Sequence, residues 1–297
     1  MMKNQLKNTP FKADWSLDAV IRPGQAPAWE GKETLGELSW EKPRLSSLWF
    51  LCNLCQLSYS ASRERLDLRL GRAGLPPVEL WLQQGSQNAY GLRCQGARLL
   101  IFQGSTGLEC LRFDLKCTPR RDRLSGLRVH GGFLSAWELL AEEVLAWARD
   151  DESLPLVVAG HSLGGALAAL AAPALPTSLR YAVGFGAPRL VLADDAGRYG
   201  APYFRLRNFD DPVARLPPRQ LGFEHVGQEL WLGADLRLRP PEEESFVLSL
   251  AEELRHPFRA WRRGWNASPL RCLSDHAPLN MARGLMGTLR ECGDREI

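Results

Sequence analysis

The chain has 297 residues, of which 45% are hydrophobic and 24% charged, the proportions of an ordinary globular protein long enough for one large domain or two small ones. A net charge of +3 on 37 basic and 34 acidic residues is too balanced for a nucleic-acid binder, and no apolar run approaches the ~20 residues of a membrane span. Met1 to Pro10 is polar and has no apolar signal stretch, which makes the cytoplasm the default expectation, with signal-independent export left open. Seven cysteines in such a chain read as reduced thiols. Cys52 and Cys55 have no second pair at metal-site spacing and read as two core residues one helical turn apart.

Residues 1–43 are polar and punctuated by Pro10, Pro23-Gly24, Pro27 and Pro43, the pattern of an N-terminal arm before a domain spanning 44–297. Leu45, Leu48, Trp49, Cys52, Cys55 and Tyr59 recur at helical spacing, which predicts a helix over 45–60. Ala89–Gln95 and Ala97–Phe102 read as paired strands about Gly96, and Phe133–Arg149 as an amphipathic helix. Strands follow at Leu156–Gly160, Tyr181–Phe185, Tyr203–Arg207 and Glu229–Leu232, and a last helix at Met281–Leu289. Strands alternating with helices predict an α/β fold with a mainly parallel central sheet flanked by helices on both faces.

The chemistry centres on Gly160-His161-Ser162-Leu163-Gly164. A β-branched run ends there and a small-residue helix begins, so the pattern is a strand–turn–helix elbow with Ser162 at its tip. Residues two before and two after such a serine must be nearly free of side chain, and both are glycine. A serine hydroxyl needs a neighbouring base, usually a histidine whose other ring nitrogen is held by a carboxylate. In a Ser–acid–His chain order, His225, His256 and His276 are the downstream bases. His276, on a late loop before a helix, fits the position best. Asp210 and Asp211 follow a predicted strand, where functional groups of open α/β sheets collect. Asp194 and Asp195 are rivals in a Gly-rich loop, and position alone does not separate Asp210 from Asp211.

Taken together, the motifs resemble the class 3 lipases, the fungal-lipase-like branch of the α/β hydrolases. Phe102-Gln103-Gly104-Ser105 is similar to that family's oxyanion loop, with Gln103 where the family usually has arginine. Val129-His130-Gly131-Gly132-Phe133 is similar to its post-lid motif, and 160–165 to its elbow. Phe185-Gly186-Ala187-Pro188-Arg189, the acid loop Asp211-Pro212-Val213-Ala214-Arg215-Leu216-Pro217 and the turn-and-strand His225–Trp231 complete the order over roughly 45–290. The resemblance implies Ser162 as nucleophile, Asp211 as acid and His276 as base. It also implies an oxyanion hole from Ser105 and the Leu163 N–H, and a structural role for His225. The implied activity is hydrolysis of lipid esters, as an acylglycerol lipase or phospholipase, with no metal and no cofactor. An acyltransferase on the same triad and a catalytically silent binding protein of this fold are the alternatives. Between Ser105 and Val129, where the family carries its lid, the segment is compact and Gly107–Phe113 barely amphipathic.

A helical insertion is expected at about 240–270. Val247, Leu250, Leu254, Phe258, Trp261 and Trp265 form an apolar stripe beside Arg255, Arg259, Arg262 and Arg263. The commoner meaning of such a stripe is a helix packed over the sheet; the other is transient membrane-surface contact through 246–265.

Overall fold

The computed structural model describes residues 38–105, 118–233, 237–239 and 274–297, together with Asp14, Ala19 and Pro23. The insertion at 240–270, His256, Gly107–Phe113 and nearly all of the arm lie outside the described residues.

An eight-stranded sheet runs β1 (Leu80–Gln84), β2 (Gln87–Cys94), β3 (Ala97–Phe102), β6 (Leu156–His161), β7 (Leu179–Phe185), β9 (Tyr203–Asn208), β11 (Gln228–Leu232) and β12 (Leu238–Arg239) in spatial order. The five strands from β3 to β11 are mutually parallel, and the outer pairs β1–β2, β2–β3 and β11–β12 are antiparallel. The strand pair read about Gly96 is the β2–β3 hairpin.

Strand β6, at the centre of the sheet, is fully buried and almost wholly apolar because both of its faces are covered. Val157 and Ala159 of β6 pack into one cluster with α1 (Leu45–Leu57), α2 (Arg63–Arg72) and α7 (Pro278–Cys292). Leu156 and Val158 point the other way, into a cluster with α3 (Gly131–Glu138), α4 (Ala141–Asp150) and α5 (Leu163–Ala171). This is the α/β-hydrolase fold. Cys52 and Cys55 are both buried in the first cluster.

One predicted helix differs, and the fold adds elements that no sequence pattern assigned. The helix predicted over Phe133–Arg149 is two helices, α3 and α4, broken where Leu139 is 53% exposed and Leu140 fully buried. Helix α2 and strand β1 are not among the predicted elements; α2 is a short, mostly charged helix that buries Leu66 and Leu70 one turn apart. A second, four-stranded sheet of very short strands, β10 (Phe223–Glu224), β8 (Val191–Leu192), β5 (Arg128–His130) and β4 (Pro119–Arg121), has no local signature in sequence. One further short helix, α6 (Ala193–Ala196), carries Asp194 and Asp195. No helix among the described residues is long and apolar enough to cross a membrane.

Candidate active site

The carboxyl ends of β3, β6, β7 and β9 lie side by side, because Phe102 is in register with Gly160, Gly160 with Gly184, and Phe185 with Leu206. Ser105, Ser162, Gly186 and Asp211 each follow one of these ends within a few residues. Parallel register alone therefore brings together positions more than one hundred residues apart.

Ser162 stands between β6 and α5 at φ 58° and ψ −126°, a conformation that non-glycine residues avoid and that costs on the order of 1–3 kcal/mol. The surrounding structure holds it there. The Ser162 N–H donates to the Phe185 carbonyl at 2.8 Å, and the Gly165 N–H donates to the Ser162 carbonyl at 2.9 Å. The turn is so tight that a Cβ at Gly160 would fall on the Gly164 carbonyl, and one at Gly164 on the Phe102 carbonyl. The elbow glycines are required by close backbone approach.

Asp211 is fully buried in the turn after β9, where its N–H donates to the Asn208 carbonyl at 2.9 Å. Its carboxylate accepts from the Val213 N–H at 2.9 Å, and both of its oxygens lie 3.0 Å from His276 Nδ1. A carboxylate only accepts, so the proton of the neutral imidazole is on Nδ1 and the lone pair on Nε2. Two side-chain amides fix the loop that carries this ring. Asn208 Nδ2 donates to the Asp275 carbonyl and Asn280 Nδ2 to the Ser274 carbonyl, each at 2.8 Å. Gly186, at φ +61°, allows the pair its closeness: a Cβ there would lie 2.6 Å from Asp211 Oδ2 and 3.0 Å from His276 Nδ1.

His276 Nε2 and Ser162 Oγ are buried, and neither has a hydrogen-bond partner among the described residues. An unpartnered base nitrogen and an unpartnered hydroxyl in such a place are costly to stability, and retained reactive groups are a common reason for that cost. The other candidates among the described residues have other partners. Asp210 forms an ion pair with Arg215. Asp194 and Asp195 pair with Arg128, and Asp195, which is buried, also with Arg198. His225 Nε2 donates to the Ala214 carbonyl at 2.8 Å, and burial first, then Arg205 and Arg189, push its pKa well below the ordinary histidine value. His130 caps α3, accepting from the Phe133 N–H at 3.4 Å.

Ser105 is half-buried at the end of the loop after β3. That loop is tied to β2 twice: the Gln103 N–H donates to the Asn88 carbonyl at 3.0 Å, and Asn88 Nδ2 donates to Gln103 Oε1 at 2.9 Å. Leu163 opens α5, so its N–H is among those a helix leaves without an intrahelical acceptor. The positive end of that helix lies at the serine. No cluster of three or more metal-ligating side chains occurs among the described residues.

A buried Ser, His and Asp at the carboxyl ends of parallel strands define the α/β hydrolases as the class of this fold. Within it, residues 99–221 match the family described as lipase (class 3), and the chain carries a fungal-lipase-like region there. It is 34% identical over 148 residues to a lipase of Rhizomucor miehei, covering 45% of this chain and 41% of that one. It is 37% identical over 123 residues to the secreted mono- and diacylglycerol lipase 1 of Fusarium solani, covering 37% of this chain and 36% of that one. Among solved structures, a fungal lipase–inhibitor complex superposes with a TM-score of 0.54 at 28% identity, over 63% of this chain and 80% of that chain. The matches thus span less than half the length of these two curated relatives.

What sequence reasoning missed is the environment of His161. Its ring lies 4.6 Å from that of His276, and both of its nitrogens are engaged. The partner Tyr59 lies 102 positions away along the chain, and no local pattern announces the pairing.

Proposed function

We propose that the protein hydrolyses carboxylic esters of lipids through an acyl-enzyme on Ser162. The observation that carries this reading is the Asp211–His276 pair at 3.0 Å, whose free Nε2 and the Ser162 hydroxyl are both buried and unpartnered at the sheet's carboxyl end. His276 Nε2 takes the serine proton as Oγ attacks the acyl carbonyl. Asp211 holds the Nδ1–H tautomer and stabilises the imidazolium that forms. The tetrahedral oxyanion is received by the Leu163 N–H and Ser105, each donor worth about 3 kcal/mol. His276 then returns the proton to the departing alcohol. Water activated by the same nitrogen releases the acid, and no metal or cofactor enters.

A lipid substrate is supported by the likeness to mono- and diacylglycerol lipases. The test is acid release from p-nitrophenyl esters of graded chain length and from emulsified diacylglycerol, comparing wild type with Ser162→Ala. Release that rises with chain length and disappears in the variant is expected. Turnover without free acid, when an alcohol acceptor is present, would move the reading to acyl transfer. No turnover with any ester would move it to a silent binding protein.

A further inference from the structure

Tyr59 follows α1 in a turn held at several points. Its N–H donates to the Gln56 carbonyl at 3.4 Å, the Ser60 N–H to the Leu57 carbonyl at 3.1 Å, and Ser58 Oγ to the Cys55 carbonyl at 2.6 Å. Arg69 Nη1, from α2, donates to Ser60 Oγ at 3.1 Å. The hydroxyl so placed lies 2.6 Å from His161 Nδ1, and His161 Nε2 lies 2.7 Å from the main-chain oxygen of His276. A carbonyl only accepts, so Nε2 carries the proton and Nδ1 receives the tyrosine O–H. The order is therefore Tyr59 O–H to His161, and His161 N–H to the backbone of His276.

The same hydroxyl reaches a third segment. A Cβ built at Gly104 would run into the Tyr59 hydroxyl, and would lie 2.5 Å from the His161 carbonyl and 2.9 Å from Ser162 Cβ. Tyr59 thus abuts the loop that carries Ser105, bonds the residue just before Ser162, and acts through it on the loop that carries His276.

We propose that Tyr59 and His161 are positioning residues: together they fix the main chain of His276 relative to Ser162 and seat the Gln103–Ser105 loop against the elbow. The inference rests on the reading of Ser162 and His276 as nucleophile and base. His161 is no alternative base, because both of its nitrogens are committed. Burial, then the neighbouring His276, hold its pKa well below the ordinary value, so the ring stays neutral and Nδ1 remains an acceptor for Tyr59. Edge-on packing of the two rings, centroids 5.8 Å apart, restricts their rotation.

Tyr59→Phe keeps the ring and deletes the donor. Displacement of a reacting group by a fraction of an ångström to one ångström costs roughly 10- to 100-fold in rate. We expect kcat per titrated active site on p-nitrophenyl butyrate to fall by about that factor with KM within two-fold. The rate of Ser162 phosphonylation by a fluorophosphonate should fall in parallel, because it needs the same His276 geometry. A purely structural role would lower the melting temperature and the titratable fraction but leave kcat per active site unchanged. That result overturns the proposal. If Tyr59→Phe does not fold, the comparison of His161→Gln with His161→Leu replaces it. Glutamine keeps a donor for the His276 carbonyl and should retain at least ten times the kcat of the leucine variant; equal rates would overturn the proposal. Ser162→Ala separates the two levels of the argument. Activity surviving in that variant defeats the catalytic reading itself, whereas an inactive Ser162→Ala beside a fully active Tyr59→Phe defeats only the positioning role.

Discussion

Replacing Asp211 with asparagine isolates the contribution of one charge. The side chain is fully buried and its oxygens have two donors to satisfy, the Val213 N–H at 2.9 Å and His276 Nδ1–H at 3.0 Å. Asparagine replaces one of the two acceptor oxygens, each 3.0 Å from His276 Nδ1, with an NH2 donor. If its oxygen keeps the Val213 bond, its NH2 faces His276 and selects the tautomer with the proton on Nε2, which cannot accept from Ser162. In serine-triad enzymes this exchange costs about 10⁴ in kcat, equivalent to ~5.5 kcal/mol of transition-state stabilisation. Asp210→Asn is the matched control, because that carboxylate is paired with Arg215 instead. Arg215 is one-third exposed, so breaking the pair should act on stability, with kcat lowered less than ten-fold. The assay is kcat on p-nitrophenyl butyrate per active site, with circular dichroism melts to confirm folding. A folded Asp211→Asn within ten-fold of wild type, or an Asp210→Asn more damaged than it, would refute the reasoning.

Ser105→Ala should lower kcat about 100-fold, the loss of one oxyanion donor at ~3 kcal/mol, with KM little changed; a rise in KM alone would assign Ser105 to substrate binding. Gly186→Ala should fold with a lowered melting temperature and lose most activity, since its Cβ would press on Asp211 Oδ2 at 2.6 Å and force a positive φ on alanine; full activity would show that the Asp211–His276 pair tolerates displacement. His161 and His225 are both held well below the ordinary histidine value, chiefly by burial, so they stay neutral in the fold while the unfolded chain protonates near pH 6.5. The unfolded state then binds more protons, and stability falls as pH drops below 6.5, by up to ~1.4 kcal/mol per pH unit for each ring. A melting temperature unchanged from pH 7 to 5 would contradict this.

The elbow was legible because backbone geometry there forces composition: only glycine fits at 160 and 164, and a β-branched strand must end between them. The resemblance to the family's acid-loop motif then favoured Asp211 over Asp210, a distinction that position alone did not make. In the fold the two side chains turn to different partners, Asp210 to Arg215 and Asp211 to His276. Legibility failed where the information is not local. Helix α2 buries Leu66 and Leu70 one turn apart, but it is short and mostly charged, so no apolar run marks it in the sequence. The break between α3 and α4 is invisible because apolar spacing continues across it, although Leu139 faces solvent and Leu140 the core. Strands of two or three residues, such as β8 and β10, carry no alternation to read. Tyr59 read as one more apolar position on an amphipathic stretch; its hydroxyl gains meaning only when tertiary packing brings His161 within 2.6 Å.

The central claim is that Ser162 becomes covalently bonded to the acyl carbon. Its most direct test is peptide mapping by mass spectrometry after reaction with a fluorophosphonate, and after acid quench during turnover of a slow p-nitrophenyl ester. One phosphonyl or acyl group per chain on the peptide containing Ser162, absent from Ser162→Ala, is the predicted result. An adduct on another residue, or labelling that persists in Ser162→Ala, would contradict it.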